Sequence, residues 1–317
     1  METNKIPSKD EVLSAYNRVS SHVHRTPVLT SRLINEICGA TVYFKCENFQ
    51  KMGAFKMRGA VNSILQLTEA QKSAGVVTHS SGNFAQALAL AAKNLGIKAY
   101  IVMPSNAPEV KKRAVKSYGG IITQSLPTLE SREAEANKIE QSTGAVFIHP
   151  SNDINVILGQ STAAFEFLED LPDLDYIFTP VGGGGLIAGT SMVCEYFSAN
   201  CKSVGGEPLN ANDAYRSLQS GKIETNISVN TVADGLRTNL GDKNFPIIKK
   251  FVSEIICVEE NEIIAALQLI WERLKIVVEP SSAVALAALL KSKKKFQKKE
   301  VGIIISGGNV DLSNLPF

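Results

Sequence analysis

The sequence contains few cysteines, and none of them forms a CxxC pair. The five are scattered and odd in number: Cys38, Cys46, Cys194, Cys201 and Cys257. This placement argues against both a disulfide framework and a zinc site. An uncharged apolar run of about 18 residues is also missing, so we expect no membrane span. The first residues, METNKIPSKDEVLSAYNRV, lack the apolar core of a signal peptide, and we therefore expect a cytoplasmic protein.

An excess of charge of one sign is missing as well. Lysine and arginine total 33 against 31 acidic residues, which gives a net charge of +2. Because there is no global basic field, we expect no nucleic-acid partner. One basic run near the end of the chain comprises Lys291, Lys293, Lys294, Lys295, Lys298 and Lys299. It follows a helical stretch and indicates a solvated helix end.

Short apolar runs alternate with segments of helical periodicity along the 317 residues. The predicted strands are 75–78, 99–103, 120–124, 145–149, 176–180, 203–206 and 301–306. The predicted helices are 83–95, 109–118, 129–142, 186–197, 262–275 and 282–292. This alternation predicts two α/β units with parallel sheets and a shared cleft. Ligands in such sheets bind at the carboxyl ends of the strands.

A lysine lies in the segment Lys51–Gly59, just before a helical stretch. Phe55 and Met57 flank Lys56 with apolar side chains. Burial between them would lower the pKa of the amine and make it a nucleophile. A solvent-exposed lysine is the ordinary alternative for such a position.

Three further segments of small polar residues follow predicted strands. They are His79-Ser80-Ser81-Gly82-Asn83, the glycine run Gly182–Gly185, and Ser306-Gly307-Gly308-Asn309. Backbone N–H groups at a helix start form an anion site, and glycine lets the backbone approach a phosphate closely. Plain helix caps and turns are the alternatives. A dinucleotide loop also competes for the glycine run, with Glu207 at nearly the required distance.

Taken together and in this order, the four motifs resemble the fold-type II pyridoxal 5′-phosphate enzymes, the tryptophan synthase β-like family. The similarity is greatest to the branch of serine racemases and serine/threonine dehydratases. It extends from His24-Arg25-Thr26-Pro27-Val28 to Gly307-Gly308-Asn309-Val310-Asp311. The resemblance implies an α/β fold of two open parallel-sheet domains with the cofactor in the cleft between them. We expect a large domain of residues 1–67 plus 155–317 and a small domain of residues 68–154.

The resemblance also implies how pyridoxal phosphate is held. Lys56 would carry the cofactor as a Schiff base, beside Phe55. Asn83 would bond the phenolic oxygen of the cofactor, and Ser306 would contact its pyridine nitrogen. The phosphate would lie on the loop of Gly182, Gly183, Gly184, Gly185 and Leu186.

For the substrate, the resemblance implies that Ser80, Ser81, Gly82 and Asn83 bind the carboxylate of an amino acid and that Arg132 takes part in closure. Lys56 and Ser81 would lie on opposite faces of the α-carbon, as a two-base racemisation requires. Dehydratases of the family generally have alanine at position 81. We therefore expect serine racemisation, accompanied by β-elimination to pyruvate and ammonia. A serine/threonine or hydroxyaspartate dehydratase is the alternative, and a non-catalytic module that binds pyridoxal phosphate or a nucleotide is a third reading.

Further ligands follow from the same resemblance. Glu207, the Ala211 carbonyl and Asp213 would bind Mg²⁺, Ca²⁺ or Mn²⁺, which prefer oxygen ligands. Allosteric ATP would map to Ser31, Lys51, Met52, Gln86 and Tyr118. A homodimer is the family expectation.

The sequence departs from the family pattern at several positions. Arg32 and Met52 replace a serine and a threonine of the nucleotide site. Phe84 replaces a histidine, which predicts a preference for small or apolar substrate side chains. Ser151 stands where an asparagine beside the cofactor is usual.

Overall fold

A computed structural model describes residues 5–313 and 315–317. The strands in this part of the chain build two separate sheets. They are β1 (Val28–Thr30), β2 (Thr41–Cys46), β3 (Val76–His79), β4 (Ala99–Pro104), β5 (Ile121–Ser125), β6 (Val146–Phe147), β7 (Tyr176–Pro180), β8 (Lys202–Pro208), β9 (Val252–Val258) and β10 (Glu300–Ile305).

Helices connect and cover these strands. They are α1 (Lys9–Val19), α2 (Arg32–Cys38), α3 (Lys56–Leu65), α4 (Glu69–Ala74), α5 (Asn83–Asn94), α6 (Glu109–Ser117), α7 (Leu129–Thr143), α8 (Ile154–Asp170), α9 (Gly185–Phe197), α10 (Asp213–Ser220), α11 (Phe245–Phe251), α12 (Glu260–Leu274) and α13 (Pro280–Lys291). Of the helices within the described ranges, none has the length and apolar character needed to cross a membrane.

The larger sheet has the strand order β1-β2-β10-β7-β8-β9. Its neighbouring strands are parallel except for β1, which runs antiparallel to β2. Successive residues of β10 enter two different cores. Ile303 and Ile305 pack with residues of α12 and α13, whereas Ile304 packs with residues of α8 and α9. Both faces of the sheet are therefore covered, which explains the almost uninterrupted apolar sequence of β10.

The smaller sheet has the order β5-β4-β3-β6, and all its strands are parallel. Its strands lie between Val76 and Phe147, inside the segment 68–154 that we predicted as the small domain. The domain boundaries themselves stay a prediction. The β3–α5 connection lies at the carboxyl end of this sheet, and the β7–α9 and β10 connections lie at the carboxyl end of the larger one.

The predicted α/β class and its strand–helix alternation are confirmed. Small differences occur at element ends. Only Val146–Phe147 of the strand predicted at 145–149 pairs with β3. Helix α9 begins at Gly185, one residue earlier than predicted.

Helix α8 is missing from the prediction. It is buried on every side from Val156 to Leu168, so it has no polar face to produce an amphipathic pattern. Gly159 lies in its middle and weakens the helical signal. A Cβ atom at Gly159 would lie 2.5 Å from the carbonyl oxygen of Arg58, so glycine allows α8 and α3 to approach closely.

A buried ionic network holds the start of α3 in place. Arg58 donates from Nε to Glu47 (2.7 Å) and from Nη1 to Glu166 (2.7 Å). Lys45 also pairs with Glu166, at 2.8 Å. The two cations and two anions balance within a core that excludes water. Because Arg58 lies two residues after Lys56, the network fixes the helix that carries this lysine.

Candidate active site

Lys56 is the first residue of α3 and lies among aromatic rings. Its Nζ donates to the carbonyl oxygen of Pro150 at 2.8 Å. The ring centroids of Phe55 and Phe84 lie 4.9 and 5.8 Å from that nitrogen. Desolvation lowers the pKa of the amine to about 8, and the negative charge of Glu279 opposes this shift. Lys56 thus loses its proton more readily than an ordinary lysine, as a nucleophile or base requires.

The end of β10 is attached directly to the Lys56 segment. The backbone N–H of Phe55 donates to the carbonyl oxygen of Ser306 at 3.0 Å. The Ser306 hydroxyl lies 3.0 Å from the hydroxyl of Ser282 on α13. The strand-end serine and the lysine are therefore parts of one local structure.

The loop Ser80–Gly82 connects β3 to α5 at the edge of the same site. Gly82 donates its N–H to the Ser80 hydroxyl at 3.4 Å. Across the part of the chain that the structure describes, the Ser81 hydroxyl has no hydrogen-bond partner. A free hydroxyl and the N-terminus of a 12-residue helix are suited to binding a carboxylate.

Asn83 is held from two sides. Its Nδ2 donates to Glu279 Oε1 and Oε2 at 2.9 and 3.1 Å. Its Oδ1 accepts from Nδ2 of Asn309 at 2.9 Å. Asn309 belongs to the loop that follows β10, so this contact joins the Ser80–Asn83 loop to the end of the larger sheet.

The glycine loop after β7 is tightly packed. Gly184 has φ +79°, in the left-handed region that favours glycine. A Cβ atom at Gly185 would lie 2.5 Å from Gln160 Oε1, a buried oxygen without a hydrogen-bond partner among the described residues. The first backbone N–H of α9 that bonds back is that of Ala188, to Gly184 O at 3.0 Å. The preceding N–H groups of the helix are available to an anion.

A turn at residues 149–152 connects the lysine to the glycine loop. His149 Nδ1 accepts the backbone N–H groups of Ser151 (3.2 Å) and Asn152 (2.8 Å), so this nitrogen carries no proton. Desolvation lowers the pKa of His149 to about 4. Pro150 accepts from Lys56, while Ser151 lies directly against Gly183.

Arg132 lies on α7, where its Nε donates to the carbonyl oxygen of Thr128 at 3.3 Å. Burial and then the charge of Arg132 lower the pKa of His79 to about 4. A cavity of about 220 Å³ beside them is lined by His79, Glu133, Ala136, Asn137, Phe147 and His149. Arg132 is therefore bonded to the N-cap of its own helix, and its charge acts on His79, the residue that precedes the Ser80–Gly82 loop.

Two carboxylates are buried together where β8 meets α10. Glu207 accepts the N–H groups of Ala214 (2.9 Å) and Tyr215 (2.8 Å). Asp213 accepts from Asn226 Nδ2 and from Leu240 N, both at 2.8 Å. Burial raises the pKa of Asp213 to about 6; burial and the charge of Asp213 raise the pKa of Glu207 well above its usual range.

Among the described residues no lysine or arginine forms an ion pair with either carboxylate, and the charge of Arg216 lowers both pKa values by less than burial raises them. In those same residues, no three His, Cys, Asp or Glu side chains are arranged to hold a metal. A cation here would therefore depend on main-chain oxygens as well, and Ala211 lies in the short turn between the two acids. The pair fits a divalent cation, since a cation would offset the buried negative charge.

The predicted nucleotide residues fall into two places. Met52 and Tyr118 belong to one hydrophobic core, together with neighbours of Gln86 on α5. Lys51 donates to the carbonyl oxygen of His22 at 2.7 Å. Ser31 instead precedes α2, which packs on β2, α12 and α13.

The family model described as "Pyridoxal-phosphate dependent enzyme" matches residues 19–307. The chain belongs to this family. A serine racemase from Dictyostelium discoideum is 48% identical over 319 residues, covering 99% of this chain and 98% of that protein. A beta-hydroxyaspartate dehydratase from Paracoccus denitrificans is 46% identical, covering 98% of this chain and 99% of that one. The solved structure of maize serine racemase superimposes with a TM-score of 0.95 at 46% identity, covering 98% and 95% of the two chains.

The site fits the cofactor of a pyridoxal-phosphate dependent enzyme. It combines a lysine of lowered pKa with a glycine loop into which a Cβ atom does not fit, at the start of a 13-residue helix. Lys56 would bind the aldehyde carbon, and the N-terminus of α9 would bind the phosphate. Ser306 joins the last motif to the Lys56 segment, and Asn83 is joined to the last motif through Asn309.

Sequence reasoning missed several groups of this enzyme's site. Glu279 precedes a proline at a helix start, where an acidic residue is normally a cap. Pro150 and His149 act through a carbonyl oxygen and a ring nitrogen that no short motif marks. Asn244 donates to the carbonyl oxygen of Gly183 at 2.8 Å from 61 residues away, a contact that only the fold reveals.

Proposed function

We propose that this chain is a pyridoxal-phosphate dependent serine racemase that also converts serine to pyruvate and ammonia. The observation that carries the proposal is the connection of the four motifs into one site around Lys56. The similarity to serine racemases over nearly the full length supports the same substrate class.

When bound, the cofactor supplies an electron sink for negative charge at the substrate α-carbon. Lys56 removes the α-proton from one face, since its amine is desolvated and loses a proton near pH 8. Ser81 exchanges a proton on the opposite face through its free hydroxyl. The substrate carboxylate binds at Ser80–Asn83, at the N-terminus of α5. If the β-hydroxyl instead leaves as water with the proton that Lys56 removed, the dehydrated product takes up water and yields pyruvate and ammonia.

The assignment is tested by replacing Ser81 with alanine. Ser80, which we place in carboxylate binding, is replaced with alanine for comparison, and S80A should weaken both activities together. We expect S81A to lose racemisation by a factor of about 100 or more, the usual contribution of a general acid or base. It should retain elimination from L-serine, because that reaction needs only the Lys56 face. D-serine and pyruvate are measured in the same reaction. Equal loss of both activities in S81A would contradict the two-base assignment.

Dehydration of hydroxyaspartate is the second candidate activity, favoured by the similarity to the Paracoccus denitrificans dehydratase. Phe84 is buried beside Lys56 and contributes an apolar wall near the place of the substrate side chain. This wall favours small or apolar side chains, such as that of serine, over the charged side chain of hydroxyaspartate. A panel of serine, threonine and hydroxyaspartate, scored for keto acid and for enantiomer, separates the two activities. A strong preference for hydroxyaspartate without D-serine formation would favour the dehydratase.

We further propose that Glu207, the Ala211 carbonyl and Asp213 bind Mg²⁺, with Ca²⁺ or Mn²⁺ as substitutes. These acids are buried together, no lysine or arginine of the described residues forms an ion pair with them, and burial raises both pKa values. The family resemblance supports several further proposals. ATP would bind as an allosteric ligand at Ser31, Lys51, Met52, Gln86 and Tyr118, and Arg132 would take part in closure over the substrate. We also propose a homodimer, a cytoplasmic location and domain boundaries at residues 67 and 155.

A further inference from the structure

Glu279 occupies a helix-cap position without capping its helix. It precedes α13 with φ −79° and ψ 156°, and its side chain makes no cap hydrogen bond. Glu259 precedes α12 with almost the same backbone, φ −79° and ψ 159°. There the side chain of Glu262, the third helical residue, accepts the backbone N–H of Glu259 at 2.7 Å. The two glutamates thus share a local conformation, but Glu279 is directed elsewhere.

The carboxylate of Glu279 instead faces the site. It is buried, with 5% exposure, and both its oxygens accept from Nδ2 of Asn83. A carboxylate accepts hydrogen bonds and donates none. Asn309 donates to the other end of the same amide. The Asn83 amide therefore has one permitted orientation out of two, with its N–H groups toward Glu279.

A buried acid that is kept only for packing would be costly, because desolvation disfavours its charged form. Other charged groups also act on it. Desolvation raises the pKa of Glu279 to about 7. The Asn83 bond, Lys111 and the backbone of Asn309 lower this pKa, and Asp234 raises it. Lys56 faces Glu279 as well, and its own pKa responds to this charge.

We propose that Glu279 is a positioning residue for the cofactor. It fixes the Asn83 amide with Nδ2 on the side of Glu279, and so makes Asn83 a donor to the phenolic oxygen of bound pyridoxal phosphate. One N–H of Asn83 is shared between the two Glu279 oxygens, which leaves the second for the ligand. The inference rests on the proposed role of pyridoxal phosphate.

The experiment compares cofactor-free wild type, Glu279→Gln and the matched control Glu259→Gln. The affinity for pyridoxal phosphate is measured by titration, and the visible absorption of the bound cofactor is followed from pH 5.5 to 9. The melting temperature of each cofactor-free protein is recorded as well. Glutamine is isosteric, but it offers Asn83 only a neutral acceptor and can turn its own NH₂ toward Asn83, which leaves Asn309 alone to orient the amide.

We expect Glu279→Gln to bind the cofactor about tenfold more weakly, the difference between a charge-assisted and a neutral hydrogen bond. Wild-type affinity should fall as the pH drops through about 7, where Glu279 takes up a proton, and this step should be absent in Glu279→Gln. The melting temperature should not fall, since the variant removes a buried charge. Glu259→Gln should bind the cofactor like wild type.

A double-mutant cycle tests whether Glu279 acts through Asn83. In the Asn83→Ala background, Glu279→Gln should change the affinity by less than about twofold, because the group that Glu279 positions is gone. Additive effects would overturn the proposal, as would an unchanged pH profile in Glu279→Gln or a parallel loss of affinity and melting temperature. If wild type itself binds no pyridoxal phosphate, the proposed function fails too; if wild type binds it and Glu279→Gln matches wild type, only this inference fails.

Discussion

Replacing Glu166 with glutamine should destabilise the protein strongly, although Glu166 lies outside the site. The carboxylate is 2% exposed and accepts from Arg58 and Lys45 at 2.7 and 2.8 Å. Its loss leaves the two buried cations with the buried charge of Glu47 and the partly exposed Asp170, which lies 3.8 Å from Lys45. Breaking a buried ion pair in this way costs about 3–5 kcal/mol.

This energy translates into a measurable melting shift. An unfolding entropy of about 2.1 cal/mol/K per residue gives roughly 0.67 kcal/mol/K for a chain of this length, so each kcal/mol shifts the melting temperature by about 1.5 °C. We expect E166Q to melt about 5–8 °C below wild type at pH 7. Calorimetry of the cofactor-free proteins measures this shift without a contribution from ligand binding.

The effect should also depend on pH. Burial opposes ionisation of Glu166, but Arg58 and Lys45 prevail and lower its pKa below 4.5. A carboxylate whose folded pKa is lowered stabilises the protein above its unfolded pKa, and this stabilisation is lost as the pH falls through the folded value. The gap between wild type and E166Q should therefore narrow below pH 4.5.

Glu169 provides the matched control. It lies on the same helix, is 39% exposed and pairs with Arg25. Exposed pairs contribute about 0–1 kcal/mol, so E169Q should melt within about 2 °C of wild type. Our account of the buried network would be wrong if E166Q and E169Q behaved alike, or if the gap widened on acidification.

Two further predictions concern the ligand sites. Gly185→Ala places a Cβ atom 2.5 Å from Gln160 Oε1 and should weaken pyridoxal-phosphate binding by roughly 1–3 kcal/mol in a titration. Gly82→Ala has open space around it and should not weaken binding. Equal affinities of the two variants would refute the close packing of the glycine loop. In EDTA, wild-type melting temperature should fall as the pH rises from 3.8 through about 6, because Asp213 has a raised folded pKa, and Mg²⁺ should reverse this fall. Asp213→Asn should show a smaller fall, the part that Glu207 contributes, and no response to Mg²⁺. An unchanged Mg²⁺ effect in this variant would exclude the residue as a ligand.

The sequence allowed prediction of those parts of the site that lie in short segments at strand ends. Lys56, Asn83, the glycine loop and Ser306 each belong to such a segment, and the parallel sheets bring these ends together. Glu279 could not be predicted, since its contact with Asn83 spans 196 residues and its local sequence is that of a helix cap. Helix α8 was not predicted for another reason. Its burial on all sides removes the amphipathic pattern from which helices are recognised.

The turn at residues 149–152 has a consequence for the entropy of ligand binding. The carbonyl oxygen of Pro150 accepts a hydrogen bond from the Lys56 amine, and Ser151 packs against Gly183. His149 holds the turn through two backbone N–H groups, so a few residues fix the spacing between the amine and the phosphate cradle. The cost of arranging these groups is therefore met during folding, before any ligand arrives. Binding then loses little conformational freedom in the protein, which is how a preorganised site gains affinity without additional contacts.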